Sequence, residues 1–108
     1  MSEFDPDRIR ERLQEVGEEW ADRDAAANLL EETKGSLLAE LMNTASGASE
    51  TERKRIAQAD PVYKLHITNM VTARKEANRA KVRYDTGKMW AELRRSQEST
   101  RRAEINLR

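Results

Sequence analysis

The stretch NTASGASETERKRIAQADP, residues 43–61, decides the fold, because it interrupts two long helical patterns. Its first part, Asn43 to Ser49, is small and polar and contains Gly47, the composition of a chain reversal rather than of a helix. Ser49 and Glu52 stand at capping-box spacing: the serine hydroxyl accepts from the third amide of a helix, and the glutamate reaches back toward its start. This pattern opens a short helix over about 50–59. Asp60–Pro61 then starts or kinks another, with an acidic N-cap and a proline at the first helical position, where its missing N–H costs nothing.

Upstream, Asp5–Pro6 carries the same start signal, and Phe4 and Ile9 are spaced as a hydrophobic staple. The predicted helix runs over about 6–43. Its apolar residues Ile9, Leu13, Val16, Trp20, Ala27, Leu30, Leu37 and Leu41 follow alternating steps of three and four. Arg23 and Lys34 fill the two remaining places, and their aliphatic stems let the charges snorkel outward. Gly17 and Gly35 each weaken the helix by about 1 kcal/mol relative to alanine. Leu37, Leu38, Leu41 and Met42 carry the pattern past Gly35.

Downstream, Gly87 is the one breaker between Pro61 and about residue 104, so a single long helix is predicted there. Its stripe is Tyr63, His66, Met70, Ala73, Ala77, Ala80, Tyr84, Gly87, Ala91 and Arg94. The middle of that stripe is small, which lets another helix come close. Ile67 and Val71 widen it at one end, and Val82, Met89, Trp90 and Leu93 form a second apolar patch on another side. Two apolar faces imply two packing partners: the first helix, and a second subunit.

Arg74, Lys81, Lys88, Arg95 and Arg102 recur every seventh residue beside the stripe, and Asp24 and Glu31 hold the matching flank of the first helix. Antiparallel pairing brings those flanks together and is expected to set Glu31 near Arg74 and Asp24 near Lys81. The expected fold is therefore all-α: one domain over 1–108, an elongated antiparallel helical hairpin with coiled-coil-like packing and a short helix or kink in its connection. The packing seam is expected to use Leu13, Val16, Trp20, Leu30, Leu37 and Leu41 on one side, and Met70, Ala73, Ala77, Ala80 and Tyr84 on the other.

Composition points the same way. Hydrophobic and charged residues each make up 37% of the chain, against about 25% charged in an average domain. Many of the hydrophobic residues are alanine, so one copy buries little, and a homo-oligomer, with a dimer favoured, is expected. There is no cysteine and one histidine, which leaves no disulfide, thiolate site or histidine-based zinc site. The formal charge is zero, yet residues 1–50 carry 5 basic and 13 acidic side chains, and residues 51–108 carry 15 and 7. The even balance favours the acidic half folding back on the basic half over a basic surface turned to nucleic acid or another acidic partner. No apolar run is long enough to span a membrane, and MSEFDPDRIRERL lacks the apolar core of a signal peptide.

No phosphate loop, dinucleotide fingerprint, nucleophile elbow or zinc-protease motif occurs. His66 lies on the apolar stripe, where packing is the default. The doublets Glu18–Glu19 and Glu31–Glu32 fit a solvated helix face better than a cation site. We therefore expect no enzyme activity, no cofactor and no metal. The contact surface for a protein partner, or for nucleic acid, is placed on Lys88, Trp90, Arg94, Arg95, Arg101 and Arg102, since Trp and Arg are enriched at binding hot spots. Glu92, Glu98 and Glu104 alternate with these arginines and can pair with them along the helix, which disfavours strong phosphate binding.

The run Ala73-Arg74-Lys75-Glu76-Ala77-Asn78-Arg79-Ala80, then Val82 and Tyr84, then Arg94 followed by Ser99-Thr100-Arg101-Arg102-Ala103-Glu104, resembles the C-terminal half of small helical phage and prophage proteins. The resemblance covers about residues 60–107; Arg94-Arg95-Ser96 departs from the Leu/Trp-Arg-Thr usual there. It implies a phage-type accessory protein, encoded near recombination and replication genes and working in the cytoplasm of a bacterial host. The expected function is an interaction protein, an accessory or inhibitor of a DNA-processing or defence complex acting by protein contacts. A nucleic-acid-binding recombination or replication accessory using the basic half, and a structural coiled-coil component, are the alternatives.

Overall fold

The computed structural model describes residues 5–107 and resolves three helices: α1 (Pro6–Thr44), α2 (Glu50–Ala59) and α3 (Pro61–Asn106). Among the described residues there is no strand. Each helix starts where its side-chain chemistry dictates. The Asp5 carboxylate accepts from the amides of Asp7 and Arg8 at 3.1 and 3.3 Å, with Pro6 next in line. The Asp60 carboxylate accepts from Val62 at 2.8 Å ahead of α3. At α2 the Ser49 hydroxyl accepts from Glu52 at 3.1 Å, while the Glu52 carboxylate accepts from the amide of Ala48, one residue earlier than in an ordinary capping box. The Phe4 staple lies outside the described residues.

The connection needs no left-handed backbone: Ala45 and Asp60 are extended, and no described residue has a positive φ. Gly47 is there for space. A Cβ on it would stand 2.9 Å from the Arg53 amide nitrogen and 2.9 Å from the Glu52 Cβ, so only glycine lets the turn sit on the start of α2.

α1 and α3 run antiparallel. Along the seam Leu13 meets Gly87, Gly17 meets Tyr84, Arg23 meets Glu76 and Leu30 meets His66, so numbers rise on one helix as they fall on the other. The result is a rod 86 Å long and 19 × 18 Å across, with a radius of gyration of 23.8 Å, where a compact chain of this size would have about 13 Å.

Both heptad stripes face the seam, and every stripe residue except Lys34 is buried or half-buried. Among the described residues burial is nearly complete only at Ala27, Ala57, Ala77, Ala80 and Ala91, and no large side chain is fully buried. The helices approach on small residues, and the large side chains of α1 lie over them. Gly17 and Gly87 serve this approach. A Cβ at Gly17 would stand 3.1 Å from the Tyr84 ring, and one at Gly87 would stand 3.1 Å from a Leu13 methyl.

Candidate interaction surface

The seam carries its own polar locks. Trp20 of α1 stacks on Tyr84 of α3, with ring centroids 5.6 Å apart. Lys81 lies 5.9 Å over the Trp20 ring and Lys88 lies 5.4 Å over the Tyr84 ring. His66 is half-buried, and its Nε2 bonds the Leu30 carbonyl oxygen at 2.7 Å, which makes Nε2 the donor. This histidine joins the helices.

Ion pairs flank the seam on both sides. On one, the Arg74 guanidinium donates to Glu31 at 2.8 and 2.9 Å, to Asp24 at 2.7 Å and to Asn28 at 2.6 Å. Glu31 is where the heptad register places it. Asp24 is not: it joins Arg74 rather than Lys81, because the guanidinium fork reaches two carboxylates while the Lys81 ammonium sits on Trp20. On the other flank, Arg23 bonds Glu76 at 2.9 Å and Glu19 at 3.1 Å, and Arg83 bonds Glu19 at 3.0 Å. The sequence reading treats Arg23 as a snorkelling stripe residue and misses this flank. The signal was present, since antiparallel heptads bring both flanking positions together and Glu19, Glu76 and Arg83 all occupy the second one.

These pairs shift titrations. The hydrogen bond from Arg74 holds the Glu31 carboxyl below its ordinary value, and the bond from Arg23, aided by Arg83, does the same for Glu19. Arg74 is held charged still more firmly by Glu31 and Asp24.

Away from the seam, the two helices present opposite surfaces. The outward stripe of α1 at heptad spacing is Glu11, Glu15, Glu18, Asp22, Ala25, Leu29, Glu32, Ser36, Ala39 and Asn43, all exposed, with five carboxylates and no base. That of α3 has Leu65, Thr68 and Thr72 at one end and Lys75 and Arg79 in the middle. It then runs Val82, Thr86, Met89, Leu93, Ser96 and Thr100 without a charge. All of these are exposed too; Val82 and Met89 keep 63% and 69% of their surface in solvent, and the neighbouring Trp90 keeps 66%. A single exposed leucine is ordinary, but Val82, Met89 and Leu93 exposed together on one uncharged stretch of the stripe, with Trp90 beside them, mark a contact surface.

The six residues expected to contact a partner do not form one patch. Trp90 stands beside the outward stripe. Lys88 leans on Tyr84, on the flank that Arg95 and Arg102 share. Arg95 and Arg102 line a 330 Å³ cleft with Pro6, Ile9, Arg10, Leu13 and Ala91 at the start of α1. Arg101 pairs with Glu98 at 3.7 Å, and Arg94 is half-buried and engaged within the chain. They are close along the chain, but the helix distributes them around its axis.

Among the described residues no three histidine or acidic side chains converge as metal ligands, and no buried side-chain polar atom lacks a partner. No described helix is long and apolar enough to cross a membrane. Comparison with family models, with curated proteins and with solved structures gives no match, so a functional reading rests on the surface of the hairpin itself.

Proposed function

We propose that this chain is a non-catalytic helical interaction protein of phage type, dimeric, and an accessory or inhibitor of a DNA-processing or defence complex that it engages by protein contacts in a bacterial cytoplasm. The observation that carries the binding reading is Trp90, a large aromatic side chain that keeps 66% of its surface in solvent at the edge of the exposed apolar stripe of α3. The resemblance of residues 60–107 supports the phage setting. Support for phosphate binding through the basic half is weaker, because Arg74 and Arg83 are spent on Asp24, Glu31 and Glu19.

The test is capture from host lysate with the tagged chain, washed with nuclease, beside a Trp90→Ala variant. One stoichiometric replication, repair or defence protein, retained after nuclease and lost with Trp90→Ala, supports the reading. Loss of every partner on nuclease treatment contradicts it and points to nucleic acid. Phosphate binding would also weaken linearly in log affinity against log salt.

A further inference from the structure

We infer that the outward stripe of α3 is the seam between two copies of this chain, packed antiparallel about a two-fold axis that relates Thr86 of each copy to Met89 of the other. This rests on the dimeric reading above and adds the face and register that carry it; Trp90, outside the stripe at the rim of that seam, is left to the protein partner.

The stripe has the shape of a helix receptor. Val82, Thr86, Met89, Leu93, Ser96 and Thr100 alternate steps of three and four, the spacing that accepts knobs from a facing helix. It lies on the side of α3 turned away from α1, and every member is exposed.

Three arguments select a second copy of α3 as the occupant. The first is need: among the described residues the buried ones of α1 and α3 are four alanines, a thin core, and another copy of the chain is the partner always present with it. The second is exclusion of the other helix. Seating α1 of a second copy there would strip water from Glu11, Glu15, Glu18 and Asp22 against apolar side chains, with only Lys75 and Arg79 to answer them.

The third is the match of the stripe with itself. In the antiparallel register Val82 meets Leu93 and Thr86 meets Met89, each pairing a shorter side chain with a longer one. Lys75 and Arg79 meet the hydroxyls of Thr100 and Ser96. A parallel alignment would instead set Lys75 on Lys75 and Arg79 on Arg79, and like charges in contact are penalised. In the antiparallel register Asp85 faces Glu92 twice, once on each side of the axis, a repulsion at the solvent-exposed rim that is weaker than like charges set within the stripe. The overlap spans residues 72–103, a seam of about 48 Å at 1.5 Å per residue. At a width of about 10 Å it covers about 500 Å² on each copy, together about 1,000 Å², the lower threshold for a biological interface and below the about 1,200–2,000 Å² of standard ones.

The experiment is sedimentation equilibrium on the full chain and two variants, with circular dichroism on each. The wild type should weigh twice the 12.4 kDa chain. Met89→Glu with Leu93→Glu should keep its helicity and raise the dissociation constant by at least about 100-fold, as expected when two carboxylates enter an apolar seam. Leu29→Glu, on the outward face of α1, should leave the dimer intact. A dimer that survives Met89→Glu with Leu93→Glu would overturn this assignment and leave the dimeric reading standing; a monomeric wild type would overturn both. The absence of cysteine gives a second readout that does not depend on how the charged variant folds. Val82→Cys mixed with Leu93→Cys should form a disulfide under oxidation, and Leu93→Cys alone should not. Cross-linking of Leu93→Cys to itself would overturn the antiparallel register.

Discussion

The two faces of α3 divide side chains by size against the usual direction. Between residues 73 and 93 the inward positions are Ala73, Ala77, Ala80, Gly87 and Ala91, with Tyr84 the one large side chain; outward stand Val82, Met89 and Leu93, with Thr86 among them and Trp90 beside them. The inward face secures closeness rather than area. Its small residues let α1 lie near, so that Leu13 packs on Gly87, Trp20 stacks on Tyr84 and the flanking arginines reach across. The outward face holds area that the single chain does not use. Burial of apolar surface contributes about 25 cal/mol per Å², so Val82, Met89 and Leu93 hold stabilisation that the single chain leaves unused. In this hairpin, orientation and register come from one face, and binding capacity resides on the other.

The largest way to break this comparison is to make the inward face resemble the outside. Ala77 and Ala80 are fully buried. Replacing both by glutamate forces carboxylates against α1, at a cost of about 3–5 kcal/mol or more. We expect loss of most of the helical signal in circular dichroism at 25 °C; retained helicity and an unchanged melting temperature would refute the register.

Next in size is Arg74→Ala, which removes the hub joining Asp24, Asn28 and Glu31. Its melting temperature should fall clearly. Arg74→Lys should recover only part of the loss, since an ammonium keeps the charge without the fork. Equal stability of the lysine variant and wild type would show that charge alone, and not geometry, sets the pairing.

Acid acts on the same locks. Glu31 and Glu19 have folded-state pKa values below the ordinary 4.5. Their contribution is thus complete above that value and is lost as pH falls through the lowered folded values. Thermal stability should decline as the solution is acidified below about pH 4.5, and the decline should be smaller in Arg74→Ala, where the main cause of the Glu31 shift is gone.

The smallest expected effect compares two glycines of α1. Gly35 has nothing within 4 Å of a built Cβ, whereas Gly17 faces Tyr84 at 3.1 Å. Gly35→Ala should stabilise the chain by about 1 kcal/mol through helix propensity alone. Gly17→Ala should gain less, because Tyr84 must shift. Equal gains in chemical denaturation would mean that the aromatic pair does not press on α1.

Much of this architecture is legible in the sequence. The caps at Asp5, Ser49 and Asp60 are local chemistry, and the seam stripes repeat every three and four residues, so element boundaries and facing side chains follow from short-range rules. What stays hidden has physical causes. Asp24 could reach either Lys81 or Arg74, and register alone does not decide between an ammonium drawn to Trp20 and a guanidinium fork. Arg23 reads as an interruption of an apolar stripe, although its head group pairs across the helices. The outward stripe of α3 reads as a loose patch of Val82, Met89, Trp90 and Leu93, because Thr86, Ser96 and Thr100 complete its period without being apolar. The arginines near the C-terminus look like one cluster until the helix separates them.

The chain carries one tryptophan on each kind of surface, and these report on the central claim directly. Trp20 is half-buried against Tyr84, and Trp90 keeps 66% of its surface in solvent. Acrylamide quenching of Trp90→Phe, which leaves Trp20, and of Trp20→Phe, which leaves Trp90, each in the Met89→Glu with Leu93→Glu background that keeps the chain single, measures the two faces separately. The account predicts blue-shifted, poorly quenched emission from Trp20, and red-shifted, readily quenched emission from Trp90. Equal accessibility of the two, or a Trp20 more exposed than Trp90, would contradict it.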